Sequence, residues 1–146
     1  CSDGGVRFAR PLPIAIVIPS FDPGGTERQM IELVRRLDPA RWTIHLACFR
    51  AGGAWFERAA AHAASVTAFP VRSFMDRAMV GHVRRVAAWC RAHRLALLHT
   101  SELYSNIGFL PGAALGGVPV RIGSRREISA GKSAGQLALQ RAAYAC

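Results

Sequence analysis

The chain is poor in lysine, in acid and in aromatic side chains. Lys132 is the only lysine, and the 19 Lys and Arg stand against 9 Asp and Glu, for a formal net charge of +10. No stretch approaches the roughly eighteen consecutive apolar residues that a membrane-spanning helix needs. The longest strongly apolar run near the start, Ile14 to Ile18, is too short for the hydrophobic part of a secretory leader. The four cysteines, at 1, 48, 90 and 146, form no CxxC and have no histidine at finger spacing, so the common zinc and dithiol signatures are excluded. Cys48 lies in an apolar strand pattern and Cys90 on a helix's apolar face, so both read as buried thiols, which suits a reducing compartment. Aromatics make up 8% and do not alternate with the arginines, which leaves no stacking platform for single strands and sets nucleic acid aside as a partner. Also missing are GxGxxG, a Walker Gly-Lys-Ser/Thr, a GxSxG elbow, HExxH and a carboxylate pair suited to glycoside hydrolysis.

What is present suits one folded domain. The length of 146 residues fits a single compact unit, and 51% apolar against 19% charged residues excludes overall disorder. The arginine surplus points to anionic partners, and arginine recognises phosphate and carboxylate better than lysine does. It is spread along the chain, with pairs at Arg35-Arg36, Arg84-Arg85 and Arg125-Arg126 and no basic tail. The chain opens on Cys1 rather than Met, which leads us to expect a processed product or a fragment.

Strand and helix patterns alternate from Ile14 onward. Ile14 to Pro19 reads as a fully buried strand. Thr26 to Leu37 reads as a helix, with Met30, Leu33, Val34 and Leu37 on one face and a Thr26–Gln29 capping box. Trp42 to Phe49 is a second strand, Trp55 to His62 a short helix, and Ser65 to Phe69 a short strand. Arg77 to His93 is the longest helix, with Met79, Val83, Val86 and Cys90 as its stripe. Leu95 to His99 is a fourth strand, and Ser101 is the expected cap of a helix running to Leu115. Val118 to Ile122 is a fifth strand, and Lys132 to Tyr144 reads as a last helix. This alternation implies an α/β fold, a Rossmann-like doubly wound parallel sheet. We expect residues 1–13 to be an N-terminal extension and 14–146 the domain.

In such sheets ligands sit at the carboxyl ends of the strands, which selects the loops following them. Gly24-Gly25 precedes a helix, so it reads either as a bare turn or as a site where the backbone and the helix's positive end approach a phosphate. Glu27 shares a face with Met30 and Val34. It is either a surface carboxylate matched to the helix dipole or an inward one holding a ligand hydroxyl or an arginine. His99 ends an apolar strand beside Thr100, Ser101 and Glu102. A core histidine, a proton-transfer group and a hydrogen bond to a polyol all remain open. Asn106 lies one turn into the next helix, either solvated or turned back to the same crevice. Arg125 and Arg126 follow the last strand and are either solvated or an anion clamp. The other histidines, at 45, 62, 82 and 93, look structural or solvated.

Three of these stretches together resemble a known family. Ile14 to Gln29, which carries Gly24-Gly25-Thr26-Glu27-Arg28, is similar to the opening of the group 1 (family 4) glycosyltransferases, where a hydrophobic strand leads into a Gly-Gly-x-Glu-Arg loop. Leu97 to Asn106 resembles the family's later His-Thr segment and the helix after it. Leu115 to Glu127 resembles its Gly-Val-Pro strand and Ser-x-Arg turn. The resemblance covers about residues 14 to 130. It implies that the chain is the N-terminal, acceptor-side domain of a GT-B enzyme, with Gly24 and Gly25 approaching the donor's diphosphate and sugar. It further implies that His99 contacts the transferred sugar as the catalytic candidate, with Glu27, Asn106 and Arg126 as further substrate-binding candidates. A nucleotide sugar is then the co-substrate, a polysaccharide or glycolipid the acceptor, and the transfer retaining, with no cofactor and no required metal. The family's nucleotide-binding half and its Glu-x7-Glu segment have no counterpart in these residues, and Ser101 stands where a second histidine is usual. The expectation is therefore of a truncated chain that transfers nothing alone. It is placed in the cytoplasm, with peripheral contact to an anionic inner membrane face.

Two rivals remain. A stand-alone basic module would bind anionic ligands without chemistry. A dinucleotide-binding domain lacks both its glycine fingerprint and an acid after the second strand, where Phe49-Arg50 sits, and survives only if Arg50 binds a 2′-phosphate.

Overall fold

A computed structural model describes residues 11–74 and 77–124, with positions 138 and 141. The apolar run near the start becomes the central strand, β1 (Leu12–Val17), whose side chains alternate between two buried faces. Then follow α1 (Gly25–Arg36), β2 (Trp42–Cys48), α2 (Phe56–Ala60), β3 (Ser65–Ala68), α3 (Ala78–Ala92), β4 (Leu97–Thr100), α4 (Leu103–Leu115) and β5 (Val120–Gly123). All strand pairings are parallel, in the order β3-β2-β1-β4-β5. Ile14, Ile16 and Ile18 face one way and pack with Met30, Ile31, Val34, Ile44, Leu46 and Ala59 under α1 and α2. Ala15, Val17 and Ala47 face the other way and pack with Val86, Trp89, Cys90, Phe109 and Ala113 of α3 and α4. The sheet is thus doubly wound and Rossmann-like, as the alternation implies.

Boundaries and faces differ from expectation in instructive places. β1 begins at Leu12, because Leu12 N donates to Arg41 O and Ala96 N to Pro13 O, so pairing extends past the apolar run. The Thr26–Gln29 box does not form: α1 starts one residue earlier, with Gly24 as its cap and no side-chain cap bond. Ile31 rather than Leu33 completes the buried stripe of α1, and Leu33 is 36% exposed. β4 starts at Leu97 because Leu95 N still bonds Cys90 O and Arg94 takes a left-handed turn at φ 50°. On α3, His82, Ala87 and Trp89 are buried where Met79 and Val83 are only half-buried. The reason is that α3 packs on α4 as well as on the sheet.

That second contact rests on glycines spaced four residues apart on α4. A Cβ on Gly112 would lie 2.5 Å from Val86 Cγ1 and 3.1 Å from Val83 O, and one on Gly116 would lie 2.9 Å from Ala87 O. A Cβ on Gly108 would press Phe49 at 3.0 Å. Across the interface His82 Nε2 donates to Gly108 O at 2.7 Å. Burial lowers the His82 pKa below its ordinary 6.5, with Arg85 adding to the fall and the Gly108 bond opposing it. His45, hydrogen-bonded to Ser65 Oγ at 2.7 Å and 4.1 Å from the His93 ring centroid, is lowered by burial and by His93. Cys48 and Cys90 are free and buried, with thiols pushed up to about 11 and about 12 by desolvation, so both stay protonated and inert. Among the described residues no helix is long and apolar enough to cross a membrane.

Two outcomes follow. Gly112→Ala overpacks the α3–α4 seam and should cost about 1–3 kcal/mol despite its better helix propensity, read as a lower urea midpoint. His82 and His45 bind a proton less readily folded than unfolded. Their contribution is therefore fully present above the unfolded pKa near 6.5 and is lost as pH falls through the lower folded values. Thermal unfolding should shift to lower temperature on acidification below that point, and less so in His82→Gln.

Candidate functional site

The strand order reverses between β1 and β4: β1 leads to α1 on one face and β4 to α4 on the other. A crevice opens at such a switch point, outside the carboxyl ends of the strands. The β1–α1 loop forms one side and is held from within. Phe21 is fully buried, edge-on to Phe56 at 5.2 Å. Its carbonyl accepts from Trp55 N at 2.9 Å. Gly53, at φ 120°, lies so close that a Cβ would stand 2.7 Å from the Phe21 carbonyl carbon. Asp22 and Arg50 close the outer edge with an ion pair at 2.5 Å. Arg50 is therefore engaged across two loops.

Gly24 is extended, at φ −154° and ψ 162°, so positive φ is not its reason. Glu27, in the third helical position, folds its carboxylate back over Gly24 into the space a Cβ would take. An acid in the first turn also matches the positive end of the helix. Glu27 is half-buried and turned to its own helix start rather than to the sheet. Gly25 is exposed, with nothing within 4 Å of where a Cβ would be, so the backbone there is open to a ligand.

On the other side, β4 carries His99 at its end, half-buried and in register with Ile16 of β1 and Ile122 of β5. Next to it lies a buried polar knot. Thr100 Oγ1 donates to Asn106 Oδ1, with Ile122 O 3.3 Å from the same hydroxyl. Asn106 Nδ2 donates to Ser124 O at 3.2 Å, and Ser124 N and Oγ donate to Thr100 O at 3.0 and 3.1 Å. Asn106 is fully buried, which corrects the expectation that it is solvated or faces the crevice: its amide ties the ends of β4 and β5 to α4. Glu102, not Ser101, caps α4, its two carboxylate oxygens accepting from Ser105 N at 2.5 Å and Tyr104 N at 3.0 Å. Ser101 and Ser105 are buried with hydroxyls that find no partner among the described residues.

Gly25 begins the helix that follows β1 and His99 ends β4, so both belong to the carboxyl edge of neighbouring strands. Glu27 and Gly24 shape the helix start, and Asn106 is internal. Arg125 and Arg126 lie outside the described residues. Sequence reasoning missed Thr100 and Ser124 as a buried pair and Glu102 as a cap. A glutamate three residues before Ser105 at the start of an apolar helix was the available signal for the cap.

With this geometry in place, comparison with protein families is decisive. The model of Glycosyltransferase Family 4 matches residues 23–123, more than two thirds of the chain. The chain belongs to glycosyltransferase family 4. The match runs from the turn before α1 to the last residue of β5, so it contains Gly24, Gly25, Glu27, His99 and Asn106. Comparison with curated proteins and with solved structures returns no match.

In this family 4 domain the polar knot should be a stability element. Asn106→Ala leaves Thr100 Oγ1 and Ser124 O short of a partner and should cost about 1–3 kcal/mol. Denaturant titration of the variant checks this.

Proposed function

We propose that this domain forms the acceptor-side wall of a retaining glycosyltransferase that moves a sugar from a nucleotide-sugar donor to a polysaccharide or glycolipid acceptor. The observation that carries the reading is the β1/β4 switch point, where the open backbone of Gly25 at the start of α1 and His99 at the end of β4 both follow from neighbouring parallel strands. When the bond between sugar and nucleoside diphosphate breaks, negative charge grows on the departing phosphate. The start of α1 offers amide hydrogens and the positive end of a twelve-residue helix for that charge. His99 hydrogen-bonds a hydroxyl of the transferred sugar and holds the ring against the phosphate. Retention then has the acceptor hydroxyl arrive on the face the diphosphate leaves. In the GT-B arrangement the nucleotide itself lies on a facing domain. No cofactor enters this reading. The exposed arginines of α1 and α3, among them Arg35, Arg36, Arg84 and Arg91, suit peripheral contact with an anionic inner membrane face.

Saturation-transfer NMR with UDP-glucose and GDP-mannose tests the arrangement. Protons of the sugar should be saturated more strongly than those of the base, and His99→Ala should weaken binding about 3–10-fold, the loss of one hydrogen bond. Stronger saturation of the base, or an unchanged response in His99→Ala, would overturn the reading.

A further inference from the structure

α3 and α4 share one side of the sheet, away from α1, and the composition of the pair is one-sided. Neither helix carries a carboxylate along its length, and α4 carries no charge at all. Tyr104, Pro111 and Leu115 of α4, at spacings of seven and four residues, fall on one side of that helix. That side looks outward: Tyr104 is 43% exposed and Leu115 55%, whereas Asn106, Phe109 and Ala113 opposite them are buried. A helix without charge is normally enclosed all round. This one is open along a stripe.

Beside the stripe runs a row of cations. Arg77 at the cap of α3, Arg84 and Arg91 recur every seven residues, so they line one side of the helix, with Val80, 55% exposed, between the first two. Arg91 donates to Leu115 O at 3.0 Å and joins the ends of the two helices. Arg77 and Arg84 are exposed and have no carboxylate within ion-pair distance among the described residues. Arg77 also stands at the positive end of α3, where a cation disfavours the helix and no acid in the first turn offsets it. Neither local ion pairing nor the helix dipole accounts for these two arginines. α1 differs, because Arg35 and Arg36 surround Glu32 and their charge is partly met on their own face.

The two rows lie side by side, since His82 meets Gly108 and Val86 meets Gly112 along parallel helices. They extend over about 16 Å, the rise from Tyr104 to Leu115. An apolar row ending in a tyrosine, flanked by arginines, suits the headgroup layer of a bilayer, where apolar side chains enter and guanidiniums meet lipid phosphate.

We propose that the outer face of α3 and α4 docks the domain on an anionic lipid bilayer, with Val80, Tyr104 and Leu115 entering the headgroup layer and Arg77 and Arg84 on lipid phosphates. The arginines of α1 take no part. α4 begins three residues after β4 ends, so docking on this face carries the carboxyl edge, His99 included, to within about one helix layer, roughly 10 Å, of the headgroups. That a lipid-borne acceptor is met there rests on the transferase reading; the docking itself does not.

Co-sedimentation of the chain with vesicles of mixed phosphatidylglycerol and phosphatidylcholine, and of phosphatidylcholine alone, reads the charge. Each arginine facing anionic lipid contributes about fivefold, so Arg77→Gln/Arg84→Gln should weaken binding to the mixed vesicles about 25-fold. Arg35→Gln/Arg36→Gln removes the same net charge from a face turned away from the lipid and should weaken it less than about threefold. Both pairs are exposed, and circular dichroism checks that each variant folds. Insertion is read by quenching with lipids brominated on their acyl chains. Leu115→Trp should be quenched beyond the parent chain, and Leu33→Trp on α1 should not. Equal losses in the two double variants, no preference for the anionic vesicles, or an unquenched Leu115→Trp would each overturn the proposal. So would binding of soluble polyglutamate as tight as that of the vesicles, which assigns the face to an acidic protein instead. No nucleotide sugar is present, so failure here leaves the switch-point reading intact, and failure of sugar binding at His99 leaves this one standing.

Discussion

Contact between α3 and α4 at backbone distance sets the positions of most other groups. Gly112 and Gly116 let Val86 and the Ala87 carbonyl approach closer than any side chain would permit. Because the helices lie so near, the Gly108 carbonyl reaches His82, and Phe109 can stack its edges among Phe49, Phe69 and His82. The same contact fixes the start of α4 relative to β4, which places Glu102 over its own helix amides and brings Asn106 to Thr100. On the crevice side the ends of β4 and β5 are in turn tied to α4 through Asn106.

Ion pairs contribute little to this framework. Glu32 is shared among Arg35, Arg36 and Arg58 at 3.3 to 3.7 Å, all with substantially exposed guanidiniums. Exposed pairs of this kind are worth about 0–1 kcal/mol. Stability comes instead from two apolar layers and the buried polar knot at the ends of β4 and β5. Some arginines are engaged locally, Arg91 donating to Leu115 O at 3.0 Å and Arg121 to Val118 O at 2.8 Å.

The architecture was legible because a parallel sheet writes itself as short apolar runs separated by helical stripes, and the run at Ile14–Ile18 reads as a fully buried strand. Residue-level detail was legible only where local rules decide. The Thr26–Gln29 pattern satisfied a local rule and still failed, because the helix begins at Gly25 and leaves Thr26 inside its first turn. His82 read as structural or solvated from its place in a helix; it is buried, and its bond to Gly108 depends on a partner helix that no local pattern announces. Asn106 looked like a surface residue because its partners, Thr100 and Ser124, are contributed by strands that only the tertiary fold brings together. His99 at a strand end and the two glycines at a helix start could be located from the sequence because both positions are local properties.

The stitching of the β1–α1 loop to the β2–α2 loop bears on how fast and how tightly the crevice can be occupied. Phe21, Gly53, Trp55 and the Asp22–Arg50 pair make two connections behave as one body. The conformational entropy of that rim is surrendered when the chain folds, not when a ligand arrives. A ligand meeting it pays little further ordering cost, so weak individual contacts translate more fully into residence time. Loosening Gly53 would be felt first as a faster off-rate, before any change in what the crevice recognises.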